Sequence, residues 1–198
     1  MNIKKTKIDW CEYTWNPVIG CKHGCYYCYA EKWAKRSGRD FKKPVFSEGQ
    51  FRKPYKITEP SKIFVCSLAD LFGEWIPKEW IEKVLTVVRE NPKHIFMFLT
   101  KNPKRYLEFD FPKNSWLGTT IDYPNKERLD FLKKAKAKYK FISFEPILGD
   151  MSTLDLSGMD LAIIGTDSSI GANPPKKEWI YSVKHNNIHF KNNIKKFL

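Results

Sequence analysis

Short, continuously apolar runs alternate along this chain with longer amphipathic stretches, and this alternation restricts the fold more than any other feature. Ile63-Phe64-Val65-Cys66, Ile95-Phe96-Met97-Phe98-Leu99, Trp116-Leu117-Gly118, Phe141-Ile142-Ser143-Phe144 and Leu161-Ala162-Ile163-Ile164 read as strands. Their apolar character is continuous, as it is in strands covered on both faces. Between them, Glu79 to Arg89 sets Trp80, Val84, Leu85 and Val88 at three-and-four spacing behind Pro77, the pattern of an amphipathic helix. Asn125 to Lys138 repeats it with Leu129, Leu132 and Ala135 after Pro124, and Pro175 to Lys184 opens again on prolines. With an initial strand near Ile8 to Glu12, the count is about six βα units, too few for a closed eight-fold barrel. The expectation is an α/β fold: a partial (β/α)6-type barrel with a mostly parallel sheet. Its functional residues belong on the loops after the C-terminal ends of the strands.

Residues 36–60, rich in Lys, Pro, Gly and Ser, read as a long irregular insertion that covers the site. No repeat, low-complexity tract or linker divides the 198 residues, so one domain over 1–198 is expected. The apolar content of 42 % suits a packed globular chain. No apolar stretch is long enough to span a bilayer, and the start MNIKKTKIDW has no apolar segment behind its charges. The expected location is the cytoplasm.

Five cysteines, Cys11, Cys21, Cys25, Cys28 and Cys66, are an odd number, and four lie in the first 28 residues. In a reducing compartment such clustering points to a metal or to redox chemistry rather than to a disulfide framework. Gly20-Cys21-Lys22-His23-Gly24-Cys25-Tyr26-Tyr27-Cys28 contains C-x3-C-x2-C, with an aromatic residue directly before the last cysteine. Three thiolates in a tight loop can each bind one iron of a cubane cluster, which leaves a fourth iron open. Gly20 and Gly24 let the loop fold closely around a compact inorganic core. The alternative is a structural zinc with Cys11 or His23 as fourth ligand, although zinc sites more often use two spaced pairs. Cys11 and Cys66 read as core thiols.

This motif, placed after a first strand in a βα chain, resembles the signature of the radical S-adenosylmethionine superfamily. The resemblance implies a [4Fe-4S] cluster on Cys21, Cys25 and Cys28 whose open iron chelates the methionine end of S-adenosylmethionine. An electron, delivered by a reductant protein such as flavodoxin or ferredoxin, then breaks the S–C5′ bond. The products are methionine and a 5′-deoxyadenosyl radical that abstracts hydrogen. In the same pattern Tyr27 would lie against the adenine. The likeness extends to a little-characterised phage and bacterial radical-type family of unknown substrate. It is carried by Asp9-Trp10 through Thr14-Trp15-Asn16-Pro17-Val18-Ile19-Gly20-Cys21, Asp70-Leu71-Phe72, Leu99-Thr100-Lys101-Asn102-Pro103-Lys104-Arg105 and Trp116-Leu117-Gly118. Ser143-Phe144-Glu145-Pro146-Ile147-Leu148-Gly149, Ile164-Gly165 through Gly171-Ala172-Asn173-Pro174, and Phe190-Lys191 continue it nearly to the end.

Two departures stand out. Where the superfamily often has Gly-Gly-Glu after the second strand, this chain reads Cys66-Ser67-Leu68-Ala69-Asp70. Ser67 and Asp70 are then the candidates to accept from the methionine ammonium, Asp70 foremost. Near the last strand, Gly-Gly-Glu-Ser-Gly followed by Ala-Arg-Pro is replaced by Gly165-Thr166-Asp167-Ser168-Ser169 and Ala172-Asn173-Pro174. A carboxylate is kept one methylene shorter and a cation has become neutral, which implies a different substrate or a partly lost site.

Thr100, Lys101, Thr119, Thr120, Asp122, Glu145, Thr166 and Asp167 follow strand-like runs and are expected at one mouth of the sheet. A cosubstrate needs hydroxyls for its ribose and charges for its methionine termini there. Lys101 is expected to meet a carboxylate or phosphate, or to pair with Glu145. His23, at a variable position of such loops, receives no role.

The net charge of +13 admits a nucleic-acid or nucleotide substrate. The guide is weak, because only six of the 35 basic residues are Arg and the lysines are spread along the chain. The run Lys133-Lys134-Ala135-Lys136-Ala137-Lys138 reads as the solvated face of a helix. The runner-up function is accordingly a non-enzymatic nucleic-acid-binding protein with a structural zinc site.

Overall fold

The computed structural model describes residues 5–198. The chain begins with β1 (Tyr13–Trp15), β2 (Val18–Ile19), α1 (Tyr29–Arg36), β3 (Val45–Phe46), β4 (Lys62–Val65) and α2 (Lys78–Glu90). It continues through β5 (Ile95–Thr100), β6 (Ser115–Thr120), α3 (Lys126–Lys134) and β7 (Tyr139–Phe144), then β8 (Leu161–Ile164), α4 (Lys177–Ser182) and β9 (Ile188–Phe190). Between β5 and β6 the crossover is a 3₁₀ segment, Pro103–Glu108, in place of an α-helix.

Seven strands form one sheet in the order β1-β4-β5-β6-β7-β8-β9, and every neighbouring pair is parallel. Strand order follows chain order, so each crossover adds its strand at the same edge. Strand twist then curls the growing sheet into a half-barrel. β2 and β3 make a small antiparallel ribbon outside this sheet.

Alternation along the strands divides the core in two. Ile63, Val65, Phe96, Phe98, Leu117 and Ile142 turn outward and bury with Ile81, Val84, Leu85 and Val88 of α2 and with Leu129 and Leu132 of α3. Each such side chain contributes roughly 1.5–3 kcal/mol when fully buried. Phe64, Met97, Phe141 and Ile163 turn inward and form a separate cluster with Trp10 and Cys11. The Trp10 ring lies 4.7 Å from that of Phe64 and 6.1 Å from that of Phe141. Gly118 makes room for this layer, because a Cβ there would sit 2.5 Å from the Phe141 ring. Asp9 ties the same N-terminal segment to the far edge of the sheet. Its carboxylate accepts from His189 Nε2 at 3.1 Å and from the Asn192 backbone N–H at 2.7 Å.

Several expectations need correction. The first strand is Tyr13–Trp15, not Ile8 to Glu12, because Trp10 and Cys11 turn inward to fill the half-barrel. The helix expected to reach Lys138 ends at Lys134, where Ala135 adopts an extended ψ of 138°. The chain must extend there to enter β7, so Lys136 and Lys138 lie on no helical face. α1 and β9 have no counterpart among the expected elements. The 36–60 segment holds β3 and two 3₁₀ turns, and its Gln50 carbonyl accepts from Trp15 Nε1 at 2.9 Å. Among the described residues no helix is long and apolar enough to cross a membrane.

Candidate functional site

The cysteine loop leaves β2 and enters α1 at the C-terminal mouth of the half-barrel. Gly20 N–H donates to the Leu68 carbonyl at 3.0 Å and Cys21 N–H to that of Phe41 at 2.8 Å, which holds the loop to the turn after β4 and to the insertion. Gly20 has φ of +115°, and a Cβ on it would lie 2.8 Å from Pro44 Cα, so only glycine fits this crossing. Cys28 caps α1, its sulfur accepting from Glu31 N–H at 3.4 Å. Cys21, Cys25 and Cys28 are unpaired and half-buried, whereas Cys11 and Cys66 are free and buried. Burial pushes the Cys21 thiol up to about 12 and raises Cys28 as well.

Among the described residues no group of three or more His, Cys, Asp or Glu side chains is arranged to hold a single metal ion. The structural-zinc reading is not favoured, since both candidates for its fourth ligand are committed elsewhere. His23 is bound to Asp70, and Cys11 lies inside the half-barrel. Three free thiols in one loop are a donor set that would suit a cubane cluster, which takes one thiolate per iron.

Asp70 is the first of three polar nodes around the loop. It is buried and accepts from His23 Nε2 (2.7 Å), Thr100 Oγ1 (2.6 Å), Lys101 N–H (2.9 Å) and Phe72 N–H (3.1 Å). His23, which had no expected role, therefore fastens the loop to the ends of β4 and β5. Ser67 stands beside this node; its hydroxyl donates to Asn16 Oδ1 at 3.2 Å and its carbonyl accepts from the Tyr29 hydroxyl.

The second node joins the loop to β5 and β6. Asp122 Oδ2 accepts from the Tyr27 hydroxyl at 2.6 Å and from Lys101 Nζ at 2.6 Å, and Oδ1 faces Arg128 at 3.1 Å. Lys101 Nζ also contacts the Tyr27 hydroxyl and sits 5.0 Å from its ring centroid. Burial would raise the Asp122 pKa, but the hydrogen bonds from Lys101 and Tyr27 outweigh it and hold the carboxyl at about 2. Burial, reinforced by Asp122, raises the Tyr27 hydroxyl and keeps it a donor.

Glu145 and Lys191 form the third node as an ion pair across Gly165. Burial raises the Glu145 carboxyl against the pull of Lys191. Lys101 and Glu145 thus do not pair with each other; each has another partner. Thr120 is buried at the inner end of β6, and its carbonyl accepts from Arg128 at 3.1 Å. Thr119 points the other way, fully buried, and donates to the Thr100 carbonyl at 2.8 Å. Thr166 and Asp167 follow β8, where Asn193 Nδ2 donates to the Thr166 carbonyl at 2.9 Å and Asp167 accepts from Ser169 N–H at 2.8 Å.

Three further residues, Arg128, Lys191 and Asn16, belong to the site without standing out in the sequence as site residues. Asn16 and Lys191 lie within the stretches that carry the family resemblance, and that was their only signal. Arg128 had none, because its place follows from the Asn125 cap that starts α3.

A family model described as "Protein of unknown function (DUF5131)" matches residues 5–194. No curated protein matches the chain. Two solved structures share its fold. One is spore photoproduct lyase complexed with dinucleoside spore photoproduct, with a TM-score of 0.61 and 15 % identity, covering 83 % of this chain and 58 % of the lyase. The other is a cysteine-to-serine mutant of spore photoproduct lyase, with a TM-score of 0.63 and 15 % identity, covering 84 % and 59 %. The chain spans under three fifths of the lyase chains it matches, and the likeness is one of fold: the same partial parallel barrel.

Proposed function

The chain belongs to the DUF5131 family, and from that premise we propose that it is a radical S-adenosylmethionine enzyme acting on a nucleotide or nucleic-acid substrate. The observation that carries this reading is the place of the C-x3-C-x2-C loop. It follows the first strand of a parallel half-barrel and faces the polar C-terminal ends of the other strands. Cys21, Cys25 and Cys28 would hold the [4Fe-4S] cluster. When bound, the cluster supplies one electron to S-adenosylmethionine, which splits into methionine and a 5′-deoxyadenosyl radical that abstracts hydrogen.

The chain's own residues organise the mouth. Tyr27, held by Asp122 and Lys101, offers a flat ring for the adenine. Asp70 and Thr100 work from behind the surface, orienting His23 and the Lys101 backbone. Ser67, Lys101, Thr120, Glu145, Thr166 and Asp167 supply hydroxyls, carbonyls and charges to cosubstrate and substrate. Thr119 supports the end of β5 from the helix side. A nucleotide-bearing substrate agrees with the net charge of +13 and with the dinucleoside bound by the structurally similar lyase. A cytoplasmic location with flavodoxin or ferredoxin as electron donor completes the reading.

The test is anaerobic reconstitution with iron and sulfide, followed by an iron count and incubation with S-adenosylmethionine and dithionite. About four irons per chain are expected, lost when Cys21, Cys25 and Cys28 become Ala, together with release of 5′-deoxyadenosine. Stoichiometric zinc in a colourless protein would overturn the proposal and restore the nucleic-acid-binding alternative.

A further inference from the structure

The rim of the mouth carries an aromatic pair that cosubstrate chemistry does not use. Tyr26 lies in the cysteine loop and is 69 % exposed; Tyr123 follows Asp122 beyond β6 and is 54 % exposed. Exposure of two large rings at one opening sets them apart from core aromatics. They come from distant parts of the chain, yet they are neighbours at the mouth: Tyr26 packs on Tyr27, whose hydroxyl is bound to Asp122, the residue before Tyr123.

Both rings are backed by fixed structure. Tyr26 meets Tyr27 edge-on at 5.1 Å and 78°, and the Tyr27 hydroxyl is bound to Asp122. Tyr123 packs over Gly149, where a Cβ would lie 3.8 Å from its Cδ1 and 3.0 Å from Pro124 Cδ. A ledge held in this way loses little freedom when a flat ligand lands on it. Lysines lie on the adjoining segments: Lys22 four residues before Tyr26 in the same loop, Lys126 three residues after Tyr123 at the start of α3, and Lys32, whose Nζ reaches Ser169 beyond β8.

We infer that Tyr26 and Tyr123 form a stacking ledge for an unpaired base of a single-stranded nucleic acid, with Lys22, Lys32 and Lys126 receiving its phosphates. The inference deepens the radical-enzyme reading, on which it rests for the identity of the mouth as the place of reaction. Exposed tyrosines interleaved with lysines match the two faces of a single strand, its base planes and its phosphates. In a duplex the base faces are stacked, so a paired strand cannot use the ledge without extruding a base. Asp167 opposes phosphate locally, and Lys32, linked to it through the Ser169 hydroxyl, offsets that charge.

Fluorescence anisotropy with a short fluorescein-labelled single-stranded oligonucleotide tests this on the full chain, both as purified and after cluster reconstitution. The single strand is expected to bind more tightly than the same sequence as a blunt duplex, with affinity falling steeply as salt rises. Tyr26→Ala and Tyr123→Ala are each expected to weaken binding by roughly tenfold. Tyr26→Phe and Tyr123→Phe keep the ring and are expected to keep the affinity, which also controls for folding. Unchanged affinity in the Ala variants, loss in the Phe variants equal to that in the Ala variants, a preference for duplex, or no binding would each overturn the inference. Iron content and S-adenosylmethionine cleavage are read on the same samples. Iron and cleavage without oligonucleotide binding reject the ledge alone, and tyrosine-dependent binding without iron rejects the cluster alone.

Discussion

His23 Nε2 lies 2.7 Å from Asp70 Oδ2, which pins the middle of the cysteine loop to the turn after β4. The same carboxylate accepts from Thr100 Oγ1, Lys101 N–H and Phe72 N–H, so one buried group fixes three segments of the mouth. Burial alone would raise its pKa, but the bonds from His23, Thr100 and Lys101 prevail and lower it. Asp70→Ala strands a hydroxyl and two backbone donors, each worth about 1–3 kcal/mol when left unsatisfied. His23→Ala leaves the carboxylate three donors and removes one charge-assisted bond, about 1.5–3 kcal/mol at most. Urea unfolding at neutral pH is expected to rank wild type above His23→Ala, and His23→Ala well above Asp70→Ala. Equal losses in the two variants would show that the backbone donors do not depend on Asp70.

Asp122 gives the site an acid limit. Its carboxyl is lowered from 3.8 to about 2 in the folded protein, because the bonds from Lys101 and Tyr27 outweigh the opposing effect of burial. A group depressed by folding contributes stability that is fully present above its unfolded pKa and is lost as pH falls through the folded value. The window therefore runs from about pH 4 down to about pH 2, and the contribution at neutral pH is about 2 kcal/mol. Asp122→Asn is expected to be less stable than wild type at pH 7 and to converge on it toward pH 2. Urea midpoints of both proteins across that range check this, and parallel curves would remove Asp122 from the account.

The strands of the half-barrel were legible because two-sided burial writes continuous apolar runs, as in Ile95 to Leu99 and Leu161 to Ile164. α1 was not, because it buries only Ala30 and Ala34 and owes its start to the Cys28 cap. β9 is three half-buried residues at a sheet edge and has no such run. In the site, sequence showed which charges end the strands but not which of them meet. Strand adjacency decides that: β5 lies beside β6, so Lys101 finds Asp122, while Glu145 at the end of β7 finds Lys191 beyond β9. Residues paired across 21, 46 or 47 positions become visible only once the sheet order is known.

Gly20 is the tightest point of the cysteine loop. With φ at +115°, alanine there is strained by about 1–3 kcal/mol before any contact is counted. Its Cβ would also press to 2.8 Å from Pro44 Cα and 2.9 Å from the Phe41 carbonyl oxygen, both backbone atoms. Gly20→Ala is expected to lower Tm by several degrees, at roughly 2–4 °C per kcal/mol for a chain of this size. Gly24 also has positive φ, but a Cβ on it would meet no atom within 4 Å, so Gly24→Ala carries only the conformational part. A thermal melt that ranks Gly24→Ala as the worse variant would contradict the close crossing at Gly20.

The five thiols divide into two classes by environment. Burial pushes Cys11 and Cys66 up to about 12, and both are nearly inaccessible, inside the half-barrel and behind β4 respectively. Cys21, Cys25 and Cys28 share one half-buried loop at the mouth. Burial pushes Cys21 up as far as Cys11 and Cys66. Access and not thiol acidity separates the two classes, because a reagent must reach a sulfur to modify it. Brief iodoacetamide treatment of the metal-free protein is therefore expected to label the loop cysteines ahead of Cys11 and Cys66, with peptide mass spectrometry reading each site. After anaerobic reconstitution the loop should become protected while Cys11 and Cys66 stay unlabelled as before. The Cys11→Ala/Cys66→Ala double variant should bind as much iron as wild type. A loss of iron in that variant would mean that a buried thiol takes part in the metal site, and the three-cysteine assignment would have to be abandoned.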